Sequence, residues 1–147
     1  MSVHFSSETD DWATPAEFFA KLDRFFSFDL DVCASEANAK CDQFFTIADD
    51  GLSKQWSGTC WMNPPYGRTI GKWMEKAYIS AFENGATVVA LVPARTDTKW
   101  WHSFATKGEI HFIPGRLKFG SAVNSAPFPS AVVVFRPQVS WATKEAA

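Results

Sequence analysis

The chain reads as an α/β protein with a Rossmann-like, mostly parallel sheet, covered on both faces and closed at one edge by an antiparallel C-terminal pair of strands. Three observations predict this. Short apolar runs alternate with amphipathic helical stretches, the pattern of strands joined by crossover helices. Ala86 to Val92 is a continuous apolar run, as expected of a central parallel strand buried on both faces. The last two strand-like runs, Glu109 to Ile113 and Ala131 to Phe135, have no helix between them and should pair antiparallel. The 147 residues suit a small single domain with one sizeable core.

The elements follow in order. Residues 1–11 are polar and expected to be mobile. Thr14 and Pro15 read as the N-cap and first residue of a helix reaching about Phe26, with Phe18, Phe19, Leu22 and Phe25 on its inner face. Phe28 to Cys33 is apolar and alternating enough for a first strand. Ala34 to Lys40 is a loop or short helix, and Gln43 to Ile47 a second strand. Asp49-Asp50-Gly51 is a turn. Cys60 to Met62 is a strand, and Thr69 to Asn84 an amphipathic helix that ends near Gly85. After the central strand, Thr98 to Ala105 looks helical. A long loop rich in Gly, Pro and Ser joins the last two strands. The domain is expected to span residues 12–137, with 138–147 a second mobile tail.

Composition excludes several classes. Hydrophobic residues make up 46% and charged residues 20%, ordinary for a soluble globular protein. No apolar run is long enough to span a bilayer, and no charged start precedes an apolar stretch, so a cytoplasmic protein is expected. Cys33, Cys41 and Cys60 are odd in number and lack metal-ligand spacing; His4, His102 and His111 are scattered. Reduced thiols and no metal site are expected. The net charge of −2 argues against a surface that grips nucleic acid all over, because phosphate contacts need clustered cations. A local patch remains open: basic residues are sparse before Lys54 and recur as Arg68, Lys72, Arg95, Lys99, Lys107, Arg116 and Lys118.

Asn63-Pro64-Pro65-Tyr66 carries the most chemistry. It follows an apolar strand, and two prolines make the loop there rigid and extended. Neither proline has an N–H, so the backbone offers acceptors only. An Asn amide oxygen and a neighbouring carbonyl can accept both hydrogens of an exocyclic amino group. Tyr66 supplies a flat face on which a planar base can stack. Together they describe a receptor for an aromatic amine.

The tetrapeptide resembles the catalytic motif of S-adenosylmethionine-dependent amino-methyltransferases. Further segments narrow the resemblance: Trp12-Ala13-Thr14-Pro15, Leu30-Asp31-Val32-Cys33-Ala34, Asp50-Gly51-Leu52 with Trp56 behind it, Leu91-Val92-Pro93-Ala94-Arg95-Thr96, Gly115-Arg116-Leu117-Lys118-Phe119 and Ala126-Pro127-Phe128-Pro129-Ser130. In this order over residues 12–136 they are similar to the phage-type Dam family of DNA adenine-N6 methyltransferases. The resemblance implies S-adenosylmethionine as cofactor, DNA as partner and the cytoplasm of a bacterial host as location. It implies Asn63, Pro64, Pro65 and Tyr66 as catalytic residues. Trp12, Thr14, Pro15, Asp31, Cys33, Ala34 and Asp50 then fall on the cofactor side, with Asp49 a second candidate for the ribose or adenine contact. One departure stands out: Ala34-Ser35-Glu36-Ala37-Asn38 replaces the Gly-rich turn that many methyltransferases have after the first strand.

The target adenine should leave the duplex to reach such a pocket. Tyr66 would stack on it, with Phe119 or Phe128 on the opposite face. Arg95, Lys99, Arg116 and Lys118 are the candidates for contacts to phosphates or guanine edges. The short stretch between Asp50 and Asn63 leaves no room for an inserted recognition domain. A short target, or a homodimer that extends the contact, would follow. The same tetrapeptide class also serves methylation of RNA amines and protein Gln, and a silent nucleic-acid-binding relative would keep the fold without turnover.

Overall fold

The computed structural model describes residues 13–119 and 125–138. Trp12, segment 1–11 and all but the first residue of segment 138–147 lie outside the described residues. The elements are α1 (Ala16–Phe26), β1 (Leu30–Asp31), β2 (Gln43–Phe44), β3 (Thr59–Met62), α2 (Ile70–Asn84), β4 (Thr87–Pro93), α3 (Lys99–Ser103), β5 (Glu109–Phe112) and β6 (Ser130–Phe135). Single 3₁₀ turns stand at Gly51–Ser53 and Ala105–Lys107.

The strands form one sheet in the order β2-β1-β3-β4-β6-β5. β1, β2, β3 and β4 run parallel, while β6 pairs antiparallel with both β4 and β5. This is the Rossmann-like methyltransferase arrangement, with its antiparallel C-terminal strands. The first two strands are shorter than Phe28 to Cys33 and Gln43 to Ile47. Pairing nevertheless continues past β1, where Asp29 N–H donates to the Thr59 carbonyl (2.8 Å) and Val32 N–H to the Trp61 carbonyl (3.1 Å).

Strand alternation builds two cores, one on each face of the sheet. Cys60, Met62, Val88, Ala90, Val92, Val133 and Phe135 face α2, whose Trp73, Met74, Ala77 and Ala81 are buried against them. Trp61, Val89, Leu91, Val132 and Val134 face the other way, onto Phe19 of α1, Phe119 and Phe128. All six residues of β6 are buried, as a strand covered on both sides requires.

Two expectations for α1 change. Phe25 is 77% exposed, and Phe26 takes the inward place instead. Phe19, Leu22 and Phe26 follow one helical line, and Phe25 stands a residue off it. Thr14 does not cap the helix: Pro15 occupies the N-cap position, α1 has no side-chain cap, and the Thr14 hydroxyl is engaged elsewhere. α3 does have a side-chain cap, since Thr98 Oγ1 accepts the Trp101 N–H at 3.3 Å. α2 stops at Gly85, which adopts the left-handed conformation (φ 80°) that a side chain would resist.

Candidate active site

The chain leaves β1 toward β2 on one side and returns to β3 on the other. Such a switch point opens a crevice at the carboxyl ends of the strands. Here the crevice is lined by Thr14, Asp31, Cys33, Asn38, Lys40 and Asn63, together with Ala13 and Trp61. The ends of β1 and β3 and the start of α1 therefore meet, although they are distant in sequence. The enclosed space is small, about 10 Å³, room for one water-sized group.

Asp31 ends β1 and is only 2% exposed. Its Oδ1 accepts the Cys33 N–H (3.2 Å) and its Oδ2 the Lys40 N–H (3.0 Å). Burial raises its pKa to about 6, against the partial compensation of those two bonds and the Lys40 charge. A buried carboxyl that ionises with difficulty favours a cationic ligand, whose charge would repay the desolvation. The turn that follows closes without glycine. Ser35 N–H donates to Asn38 Oδ1 (2.8 Å), and Asn38 N–H donates back to Ser35 Oγ (3.3 Å). These side-chain bonds take the place of the permissive backbone of a Gly-rich turn.

Asn63 follows β3 and faces the same crevice. Its Nδ2 donates to Thr14 Oγ1 at 2.9 Å. Pro64 is buried and Pro65 half-buried. The Tyr66 hydroxyl donates to the Leu91 carbonyl at 3.1 Å, and burial pushes the phenol well above its ordinary value. The Tyr66 ring meets Phe119 and Phe128 edge to face, at centroid distances of 6.1 and 5.5 Å. Phe119 and Phe128 are themselves 4% and 7% exposed. The three aromatics thus form one cluster beside the Asn-Pro-Pro loop.

Asp49 and Asp50 differ in what occupies them. Both the N–H and the hydroxyl of Thr46 donate to the exposed Asp49 carboxylate, holding it below the usual range. Asp50 is exposed and left-handed (φ 55°), a conformation that Asp tolerates better than most residues. Gly51 packs so closely that a Cβ would run into the Val32 carbonyl oxygen and lie 3.2 Å from the Trp73 ring. The buried Trp56 indole donates to the Gly51 carbonyl at 2.9 Å and stacks near Trp73. The spacing of Trp56 behind Asp50-Gly51-Leu52 therefore has a physical basis: the indole holds the turn against the end of β1.

The candidate cations lie on the same rim. Arg95 and Lys99 follow the carboxyl end of β4; Arg116 and Lys118 follow that of β5, which runs parallel to β4 through their shared partner β6. All four are exposed. The Arg95 guanidinium lies 5.8 Å from the Phe128 ring centroid. Arg116 reaches the Ala126 carbonyl at 3.5 Å, which ties the loop to itself. Lys99 borders a shallow groove between α2 and α3, together with Arg68, Lys72, Glu75 and Trp100.

Among the described residues, no group of three or more His, Cys, Asp or Glu could hold a metal ion, and no helix is long and apolar enough to cross a membrane. None of the three cysteines is disulfide-bonded. Burial, then the charge of nearby carboxylates, pushes the Cys41 and Cys60 thiols up to about 12, so neither is a ready nucleophile. Pro15, Cys33 and Ala34 are half-buried near the crevice, whereas Trp12 lies outside the described residues. Asn38 and Lys40 also belong to the crevice, and no sequence motif points to them. The reciprocal Ser35–Asn38 pairing is the available signal, since Ser and Asn at that spacing favour a closed turn.

A parallel sheet with a switch-point crevice, an acidic residue ending one central strand and an Asn-Pro-Pro-Tyr loop ending the next define the class of Rossmann-like methyltransferases. The DNA N-6-adenine-methyltransferase (Dam) family model matches residues 2–143, and the chain belongs to that family. It is 31% identical over 147 residues to a DNA N-6-adenine-methyltransferase of Haemophilus phage HP1, covering 92% of this chain and 83% of that protein. It is 36% identical over 153 residues to the DNA N-6-adenine-methyltransferase of Escherichia phage T1, covering 86% of this chain and 63% of the relative, less than two thirds of its length.

Proposed function

We propose that this protein transfers a methyl group from S-adenosylmethionine to the N6 amino group of adenine in DNA, with the target base flipped into the pocket formed by Asn63, Pro64, Pro65 and Tyr66. The observation that carries the reading is that Asn63 and Asp31 share one crevice at the switch point of the sheet.

The residues present fit the cofactor. Asp31 is a buried carboxylate suited to its ammonium group, beside the backbone of Cys33. Asp50, exposed on the turn after β2, suits ribose hydroxyls. When bound, S-adenosylmethionine supplies an electrophilic methyl on a sulfonium sulfur. What the protein must add is position and charge stabilisation. Adenine N6 is a poor nucleophile because its lone pair is delocalised into the ring. The Asn63 Oδ1 and the Pro64 carbonyl accept its two hydrogens, draw the nitrogen toward a tetrahedral shape and stabilise the charge that develops there. As the new C–N bond forms, the methyl–sulfur bond would break with its electron pair left on sulfur, and one of these two hydrogens would pass as a proton to water. Tyr66, anchored by its hydroxyl at Leu91, holds the base plane. The Arg68, Lys72 and Lys99 groove and the Arg116–Lys118 loop contact the phosphates of the flanking strand.

The test uses tritiated cofactor with defined DNA, RNA and Gln-containing peptide. Label is expected in N6-methyladenine of DNA. Asn63→Ala should lower the rate roughly 10²–10³-fold, as the loss of one preorganised group does at an oxyanion hole, with cofactor affinity nearly unchanged. Activity within a few-fold of the parent would remove Asn63 from the chemistry. Label in RNA or peptide alone would change the substrate class.

A further inference from the structure

A carboxamide has two nearly isosteric ends of opposite polarity. Oδ1 accepts hydrogen bonds and Nδ2 donates them. An Asn that receives an amino group must turn its oxygen to the substrate. The reversed amide would set N–H against N–H. The productive orientation needs an acceptor for Nδ2.

Thr14 meets that need. Its Oγ1 takes the Asn63 Nδ2 hydrogen at 2.9 Å, across 49 positions of sequence. Thr14 is 5% exposed, and both side chains line the crevice that holds Asp31. A threonine at the entry to a helix commonly caps it, yet α1 has no side-chain cap. Its hydroxyl is used on Asn63 instead. Pro15, with its restricted φ, fixes the chain beside it.

We propose that Thr14 is a positioning residue for Asn63: by holding Nδ2 it turns Oδ1 toward the substrate amine. It acts through Asn63 and touches no reacting atom. The inference rests on the reading of Asn63 as the amine acceptor given above, and it assigns Thr14 a role other than cofactor contact.

Thr14→Val keeps the shape and removes the acceptor. With saturating cofactor and DNA, its kcat should fall about 10- to 100-fold, less than the roughly 10²–10³-fold expected for Asn63→Ala. The cofactor Kd should stay within about twofold, because the crevice keeps its shape. Thr14→Ser should return kcat to within a few-fold of the parent. Adding Thr14→Val to Asn63→Ala should cost no further kcat, since residues that act through one another are not additive. Thr14→Ala provides the same reading should the valine variant fail to fold. A weakened cofactor Kd with unchanged kcat would overturn the proposal and make Thr14 a cofactor residue. So would a full further loss of kcat in the double variant, or no rescue by serine. If Asn63→Ala is inactive and Thr14→Val turns over like the parent, only this inference fails. If Asn63→Ala itself stays active, the reading of Asn63 fails first.

Discussion

Asp31, proposed above as the partner of the cofactor's ammonium, would couple ligand binding to pH. Burial raises its pKa from 3.8 to about 6. A folded-state value above the unfolded one means that ionisation opposes folding. Without ligand, the fold should lose stability as pH rises from about 4 to about 6, at roughly 1.4 kcal/mol per pH unit, and then level off. A bound ammonium reverses the balance, because it favours the carboxylate. Cofactor affinity should therefore rise with pH toward about 6, by up to about tenfold per pH unit, and be flat above. Titrations at several pH values by calorimetry would measure this. Asp31→Asn should bind weakly and show no such rise. A parent protein whose affinity is flat from pH 5 to 7 would place the ammonium elsewhere.

At the scale of elements, the turn after β2 is fixed by Gly51. A methyl group there meets the Val32 carbonyl, between Asp31 and Cys33, and the Trp73 ring of α2. Gly51→Ala should therefore shift the end of β1 or the turn itself. Overpacking of this kind costs about 1–3 kcal/mol, read as a lower Tm. Cofactor affinity should fall too, because Asp50 and Asp31 flank the strained contact. An unchanged Tm and an unchanged Kd would mean that the turn relaxes freely. Much of this layout is legible in the sequence. β4 and β6 are dense apolar runs, and burial on both faces forces that composition. α2 is legible down to its Gly85 stop. β1 and β2 look longer in sequence than they are, because they pair over few residues and end in side-chain-bonded turns that periodicity does not register. Phe25 misleads because a run of phenylalanines offers two helical faces. The Thr14–Asn63 bond is invisible in the sequence, since a Thr-Pro pair reads equally well as a helix cap and only the sheet brings it to Asn63.

Across the whole molecule, sheet topology sorts the charges. A net charge of −2 gives no global attraction to DNA, so binding must come from a local set of cations. Arg95, Lys99, Arg116 and Lys118 all follow carboxyl ends of strands, the rim that holds Asn63, and Arg68 and Lys72 flank Lys99 in its groove. Lys107 lies at the other end: it precedes β5, whose first residue Glu109 pairs with Val134 beside the start of β4, and its ammonium sits 4.7 Å from the Tyr78 ring. A small cationic rim predicts a shallow dependence of log affinity on log salt, with a slope of about −0.9 for each phosphate neutralised. Replacing Lys72 and Lys99 together by Ala should flatten the slope by up to about two such increments, weaken binding to all sequences alike and leave cofactor affinity unchanged. Lys107→Ala should leave slope and affinity as they are, although it carries the same charge. Fluorescence anisotropy with labelled duplexes over a range of salt concentrations would measure all three proteins. Equal slopes for the parent and the Lys72/Lys99 variant would take the groove out of the DNA path. A flattened slope for Lys107→Ala would show that DNA reaches the opposite edge of the sheet, a geometry in which the carboxyl-end rim is not the principal contact.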